Sequence, residues 1–391
     1  MTDGRFVAAA ALDGAGWHPA AWRAAGARPA ELFAARYWAD LATLADRGGL
    51  DLVTFEDALT VQSADGRGFD ERVDQVRGRL DAVQIATRVG PVSTRVGLVP
   101  MTVVTHTEPF HLASATSTLD HLSDGRGGWL PRVSRDEGEA GHVHVRGVPA
   151  SAEEAYAEAA DAVEVVRRLW DSWEDDAVIR DVAAGRFVDR DRLHYVEFEG
   201  PFFRVKGPSI VPRPPQGQPV VATLAASDDE VALRFAAASC DVVFVTPPAG
   251  DAPEAADVAA AVAAVRRAER AVGRTGPPLV VVADVVVFLG ANAVATKASL
   301  DELDGAELRS DARLFTGPAA ELADLIEAWR LAGIQGVRLR PGVLPDDLVA
   351  IAADLLPELR RRGIVGPPRD GRLRERFGLA RPANRYAGAR P

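Results

Sequence analysis

A closed (β/α)8 barrel of the α/β class, a TIM barrel, is the fold predicted for this chain, and three features of the sequence predict it. Short apolar runs alternate with longer segments of helical period from one end to the other. Eight such runs can be counted, the number a closed barrel needs, with an open doubly wound sheet as the alternative. The 391 residues suit one large barrel, and no repeat or low-complexity linker divides them, so 1–391 read as a single domain.

The first strand is predicted at 6–12 (FVAAAAL), followed by a helix at 30–47 that stops at Gly48-Gly49, as helices often do. The run 52–55 (LVTF) gives the second strand, 80–89 repeats apolar positions at helical spacing, and 96–103 is the third strand. A helix at 109–122 begins with proline, whose missing N–H costs nothing in a first turn. Strand four, 127–130, is short and weakened by glycine, and 152–170 is the clearest amphipathic helix. Strands five, six and seven fall at 220–224, 241–245 and 279–288, with helices at 228–238 and 255–272 between them. A helix at 319–331, the eighth strand at 336–339 and a helix at 346–361 complete the alternation.

Two stretches break the rhythm. The polar segment 132–151, with His142 and His144, reads as a mobile loop after strand four. Residues 175–218, rich in proline, glycine and charge, form a long insertion after the helix that follows strand four, with a hairpin through 194–206. Excursions of this length are functional covers or disordered, so 132–151 and part of 175–218 are expected to order over a bound cofactor. The tail, 371–391, is expected to run extended along the surface.

Composition narrows the function. Apolar residues make up 47% and charged residues 26%, a globular mix, and the net charge of −11 argues against a nucleic-acid partner. No apolar run nears the roughly 20 residues that span a bilayer, and the N-terminus lacks the pattern of a secretory signal. Cys240 is the single cysteine, so no internal disulfide forms. A cytosolic protein is expected.

On a barrel, chemistry gathers at the C-terminal ends of the strands. Asp57 lies just past strand two, able to accept from a ring N–H, anchor a loop or cap a helix. Thr105 and His106 follow strand three, and His106 is the one candidate catalytic group. GRGGWL at 125–130 sets two glycines before Trp129 and Leu130, permitting close approach by a planar ligand. Ala226 and Ser227 open the helix after strand five, where a hydroxyl and free amides suit a phosphate and an ordinary N-cap is the competing reading. Asp228 and Asp229 oppose a phosphate there. No GxGxxG, GxxxxGK[ST], GxSxG or HExxH motif stands in the right context, and His142 and His144 lack a third ligand, so no metal is expected.

Several segments resemble the bacterial-luciferase-like flavin monooxygenases, in the branch of the nitrilotriacetate and dibenzothiophene-sulfone monooxygenases. They are WHPAAWR at 17–23, ADRGGLDLVTFED at 45–57, THTEPFHLASATSTLDHLSDGRGGW at 105–129, the excursion at 167–221, and LRERFGLARP at 373–382. The resemblance implies a (β/α)8 barrel using reduced FMN, delivered by a separate NAD(P)H-dependent reductase. Dioxygen then adds at the flavin 4a carbon, and the peroxyflavin oxygenates a small organic substrate. It further implies a homodimer or dimer of dimers.

By that resemblance Asp57 and Thr105 sit beside the flavin ring, as would Trp129 and Leu130, while Tyr156, Ala226 and Ser227 face its phosphate. Two positions depart from the pattern: Leu130 stands for an asparagine and Ala152 for a histidine, and 290–316 is shortened. A barrel with weakened or lost flavin use, acting as a binding protein, and a deazaflavin-dependent oxidoreductase are the alternatives.

Overall fold

The computed structural model describes residues 6–63, 70–135, 137–143, 147–247 and 255–388. Eight parallel strands form the barrel: β1 (Val7–Leu12), β2 (Leu52–Phe55), β3 (Gly97–Val103), β4 (Gly128–Arg132), β5 (Val220–Ala226), β6 (Val242–Thr246), β7 (Val280–Leu289) and β8 (Gly336–Pro341). Each pairs with its neighbour in sequence, and β8 returns to β1 with Val7 opposite Gly336. Closure excludes the open sheet.

Helices α1 (Ala35–Gly48), α2 (Ala82–Val89), α3 (Pro109–Leu122), α4 (Ala152–Asp171), α5 (Glu230–Ser239), α6 (Ala255–Ala271) and α7 (Ala319–Leu331) follow strands one to seven. The helical run 346–361 follows β8 and contains a π-helical stretch, Ile351–Leu355.

Side chains alternate across each strand. On β1, Val7 and Ala9 join the barrel interior, while Ala8, Ala10 and Leu12 pack outward against the helices. The interior continues through Leu52, Val99, Met101, Leu130, Ala222, Phe244 and Val282.

Two elements between β7 and α7 were not predicted. A helix, Ala293–Asp304, leads to a ninth strand, Arg313–Gly317. That strand lies outside the ring, pairing with the C-terminal half of β7 from Val285–Arg313 to Leu289–Gly317.

The long excursion is not a cover over the mouth. It joins the end of α4 to the start of β5, both at the N-terminal end of the barrel. Its hairpins are Val178–Asp181 with Arg186–Val188, and Phe198–Glu199 with Arg204–Val205. Within it, Gln216 Nε2 donates to Gly127 O at 2.6 Å and to Asp120 Oδ1 at 2.5 Å, binding it to that end.

The tail also departs from expectation. Leu373 begins a short helix, Leu373–Arg376, and is fully buried among the interior side chains, a plug in the N-terminal end. The glycines take their meaning from it. A Cβ on Gly97 would lie 2.5 Å from Leu373 Cδ1, and one on Gly128 would lie 2.9 Å from Val99 Cγ2 and 3.4 Å from Leu373 Cδ2. In GRGGW, Gly127 gives room to the Asp120 backbone of α3, Gly128 to Val99 and Gly125 to Arg372 of the tail. Arg213 of the excursion then donates to Asp171, at the end of α4, at 2.9 Å and to Pro382 O of the tail at 2.9 Å.

Candidate active site

Toward the C-terminal ends of the strands the interior changes from apolar to charged. Arg338 and Arg340 alternate inward on β8 and meet Asp284 of β7. Arg338, wholly buried, donates to Asp284 at 2.8 and 2.6 Å, to Thr54 Oγ1 at 3.1 Å and to Glu56 Oε1 at 2.9 Å. Arg340 bonds the same Asp284 and reaches Asp311 at 2.6 Å. The Phe244 and Trp17 rings lie 4.8 and 5.2 Å from the two guanidinium carbons. Charges out of water cost several kcal/mol each unless paired, and here every carboxylate faces a guanidinium. This network was missed in the sequence, although an acid inside VVVADVVVFL and the alternation in GVRLRP were signals for it.

The predicted ring-side residues and the catalytic candidate His106 take different positions. Asp57 accepts from Ala58 N at 2.8 Å and from Ala82 N, at the start of α2, at 3.3 Å, so it anchors the loop. Burial pushes its carboxyl up to about 6, against the pull of those amides. Thr105 is buried, and its Oγ1 accepts from Ser134 N at 2.8 Å, joining the β3 and β4 loops. His106 adopts φ 127°, a strained conformation for a residue with a side chain. Arg132 ends β4 and pairs with Glu139 at 2.7 Å. The side chain of His142 and the whole of His144 lie outside the described residues.

Trp129 and Leu130 part company. Trp129 is fully buried between barrel and α4, its Nε1 donating to Thr102 Oγ1 at 2.7 Å and its ring edge-on to Trp170 at 6.1 Å. It faces away from the interior, so its expected place at the ring does not follow from this arrangement. Leu130 does point inward.

At the β4–β5 side, Tyr156 near the start of α4 leans on Phe235 of α5, ring centroids 5.5 Å apart. Its hydroxyl bonds to no described residue, and burial raises it to about 12, keeping it a donor. Ser227 is not the N-cap: its N donates to Thr246 O at 3.0 Å, and its side chain bonds to no described residue. Asp229 is the cap, accepting from Val231 N at 3.1 Å and Ala232 N at 2.9 Å. Ala226 is exposed beside it, and Ala152 opens α4 behind the cap Ser151.

On the opposite side, a cavity of about 510 Å³ opens among the loops after β1, β2 and β7. Asp13, Trp17, Gln62, Gln75, Arg72 and Leu308 are among its walls. Its volume is that of a small-molecule site. Among the described residues no cluster of histidine, cysteine and carboxylate could hold a metal, and no helix is long and apolar enough to cross a membrane.

Comparison with known proteins places this architecture. The family model described as luciferase-like monooxygenase matches residues 15–336, and the chain belongs to that family. It is 28% identical to N-acetyl-S-(2-succino)cysteine monooxygenase of Bacillus subtilis (strain 168), covering 96% of this chain and 97% of that protein. It is 27% identical to nitrilotriacetate monooxygenase component A of Aminobacter aminovorans, covering 95% and 96%. A long-chain alkane monooxygenase structure superposes with TM-score 0.84 at 22% identity, covering 97% and 96%. Its likeness bears on the fold.

Proposed function

We propose that the chain is a flavin-dependent monooxygenase that takes reduced FMN and dioxygen and oxygenates a small organic substrate. The observation that carries it is family membership over most of the chain, together with a donor set suited to a flavin phosphate. Tyr156 and Ser227 offer two hydroxyls with no partner among the described residues, at the β4–β5 side. Leu130 points into the barrel from the middle of β4, and Asp57 lies just past β2. Bound there, reduced flavin supplies the electrons and activates oxygen; the chain binds, orients and excludes water.

The fit is partial. Asp229 already occupies the first amides of α5, and its charge opposes a phosphate. Leu130 and Ala152 offer no hydrogen bond. A weakly held flavin, arriving as a co-substrate from a separate NAD(P)H-dependent reductase, accords with that donor set. The reading carries with it a homodimeric or dimer-of-dimers assembly, as the family resemblance implies, and a cytosolic setting, as the composition and the N-terminal sequence suggest.

Titration of the purified chain with oxidised and reduced FMN, followed by flavin fluorescence, tests this. Saturable binding of reduced FMN is expected. Absence of binding of either form at high micromolar concentration would leave a flavin-free binding protein, and preference for deazaflavin would select that cofactor.

A further inference from the structure

Two opposite charges at the mouth stand near one another without pairing. Asp13 follows β1 in the inward register of Val7 and Ala9 and lies on the wall of the 510 Å³ cavity. It also borders a narrow recess beside that cavity, which Arg79, from the loop before α2, lines as well. The Asp13 carboxyl is partly exposed and makes no hydrogen bond or ion pair with a described residue. The half-buried Arg79 guanidinium makes none either, and its Nε is shut off from the surface. Arg79 acts on Asp13 through space, from beyond ion-pair range.

Leu12, Trp38, Phe55 and Leu80 wall the recess, so both charges lie against apolar side chains, where an opposite charge is worth more than in water. A guanidinium with an unmet buried N–H and a carboxylate without donors are each costly until such a partner arrives.

The surrounding protein supplies neither partner. Arg72 is held by Asp74 at 2.7 Å and Asp304 at 3.0 Å, Arg77 by Asp70, and Arg338 and Arg340 by their shared Asp284. Glu56 is taken by Arg338 and Asp57 by backbone amides. His18 accepts from Ala20 N at 3.0 Å and turns its other ring nitrogen to Asp301 at 3.0 Å. Exposed Arg309, at the rim of the cavity, is a second cation with no partner among the described residues. Trp17, Leu308, Val76 and Pro19 give the cavity its apolar wall.

We infer that this cavity takes a zwitterionic substrate, an α-amino acid with an apolar body, whose ammonium pairs with Asp13 and whose carboxylate pairs with Arg79. An α-amino acid carries both charges on one carbon, so it bridges two groups too far apart to pair directly. A ligand with one charge leaves one of the two unmet. The inference rests on the monooxygenase reading for the reaction but not for the binding.

Calorimetric titration with three probes of similar shape tests it: L-phenylalanine; 3-phenylpropanoate, which lacks the ammonium; and phenethylamine, which lacks the carboxylate. Phenylalanine is expected to bind about tenfold or more tightly than either, the worth of one charged hydrogen bond. Asp13→Asn should weaken phenylalanine by about the same factor and leave phenylpropanoate unchanged or tighter. Arg79→Gln should weaken phenylalanine likewise and leave phenethylamine unchanged or tighter. Retained binding of the singly charged probe shows each variant to be folded.

Equal affinity for phenylalanine and either singly charged probe, unchanged phenylalanine binding in either variant, or no saturable phenylalanine binding at millimolar concentration would each overturn it. So would a matching loss of FMN affinity in Arg79→Gln, which would give that guanidinium to the flavin. FMN titration of the wild type separates the two readings. Flavin binding without phenylalanine binding sinks this inference alone, and phenylalanine binding without flavin binding sinks the proposed reaction alone.

Discussion

The two ends of the barrel are built from opposite materials. At the N-terminal end, Leu373 fills the opening, Gly97 makes room for it, and the excursion and tail cross-link outside through Gln216 and Arg213. At the C-terminal end the interior is charged, and its walls keep groups with no partner among the described residues: Asp13 and the hydroxyls of Tyr156 and Ser227. The contrast teaches where stability and chemistry reside. The polar groups that bind the excursion and tail to the closed end are satisfied by one another, whereas at the open end the Asp13 carboxyl and the Tyr156 and Ser227 hydroxyls meet no partner among the described residues.

The largest effect should come from the charged layer. Asp284→Ala strands two buried guanidinium groups, so a loss of about 3–5 kcal/mol is expected in urea unfolding. A loss under about 1 kcal/mol would mean the network does not hold the mouth together.

Leu373→Ala should cost about 2–4 kcal/mol by opening a cavity in the plug, with FMN affinity unchanged. Reduced FMN affinity in that variant, at temperatures where it remains folded, would break the separation of the two ends.

Asp57 gives the pH dependence of the open end. Its folded carboxyl titrates at about 6 against 3.8 ordinarily, so the folded state holds the extra proton between those values. Stability therefore falls as pH rises from about 4 to 6 and is level above. Asp57→Asn should remove that fall and gain roughly 2 kcal/mol over wild type at pH 7 while matching it below pH 4, read from denaturation curves.

The smallest effect is at the phosphate side. Ser227→Ala and Tyr156→Phe should each weaken FMN about three- to tenfold, the worth of one hydrogen bond, and leave riboflavin unaffected. Equal losses for FMN and riboflavin would place these hydroxyls away from the phosphate.

The strands were legible because their signal is local: each is an apolar run bounded by turns. The ninth strand, Arg313–Gly317, was not, since four of its five residues are only partly buried and it pairs on β7 outside the ring. The excursion was read correctly as an insertion with a hairpin and placed at the wrong end. A helix that returns from the C-terminal face delivers the next segment of chain to the N-terminal face. Among site residues, Asp57, Thr105, Tyr156 and Ser227 were singled out, while Asp13, Arg338 and Asp284 passed unnoticed. Single charged residues in apolar strands have no motif, and their partners lie up to 284 residues away, as between Thr54 and Arg338.

By itself the sequence determined the barrel, its strand positions and its family resemblance, because periodicity and long matched segments need no knowledge of contacts. Only the tertiary structure decided that Trp129 faces outward, that Leu373 plugs the barrel, that Asp229 takes the helix amides and that Asp13 is left unpaired. Each depends on which groups become neighbours, and burial makes a polar group's neighbours decide its cost, its proton and its use.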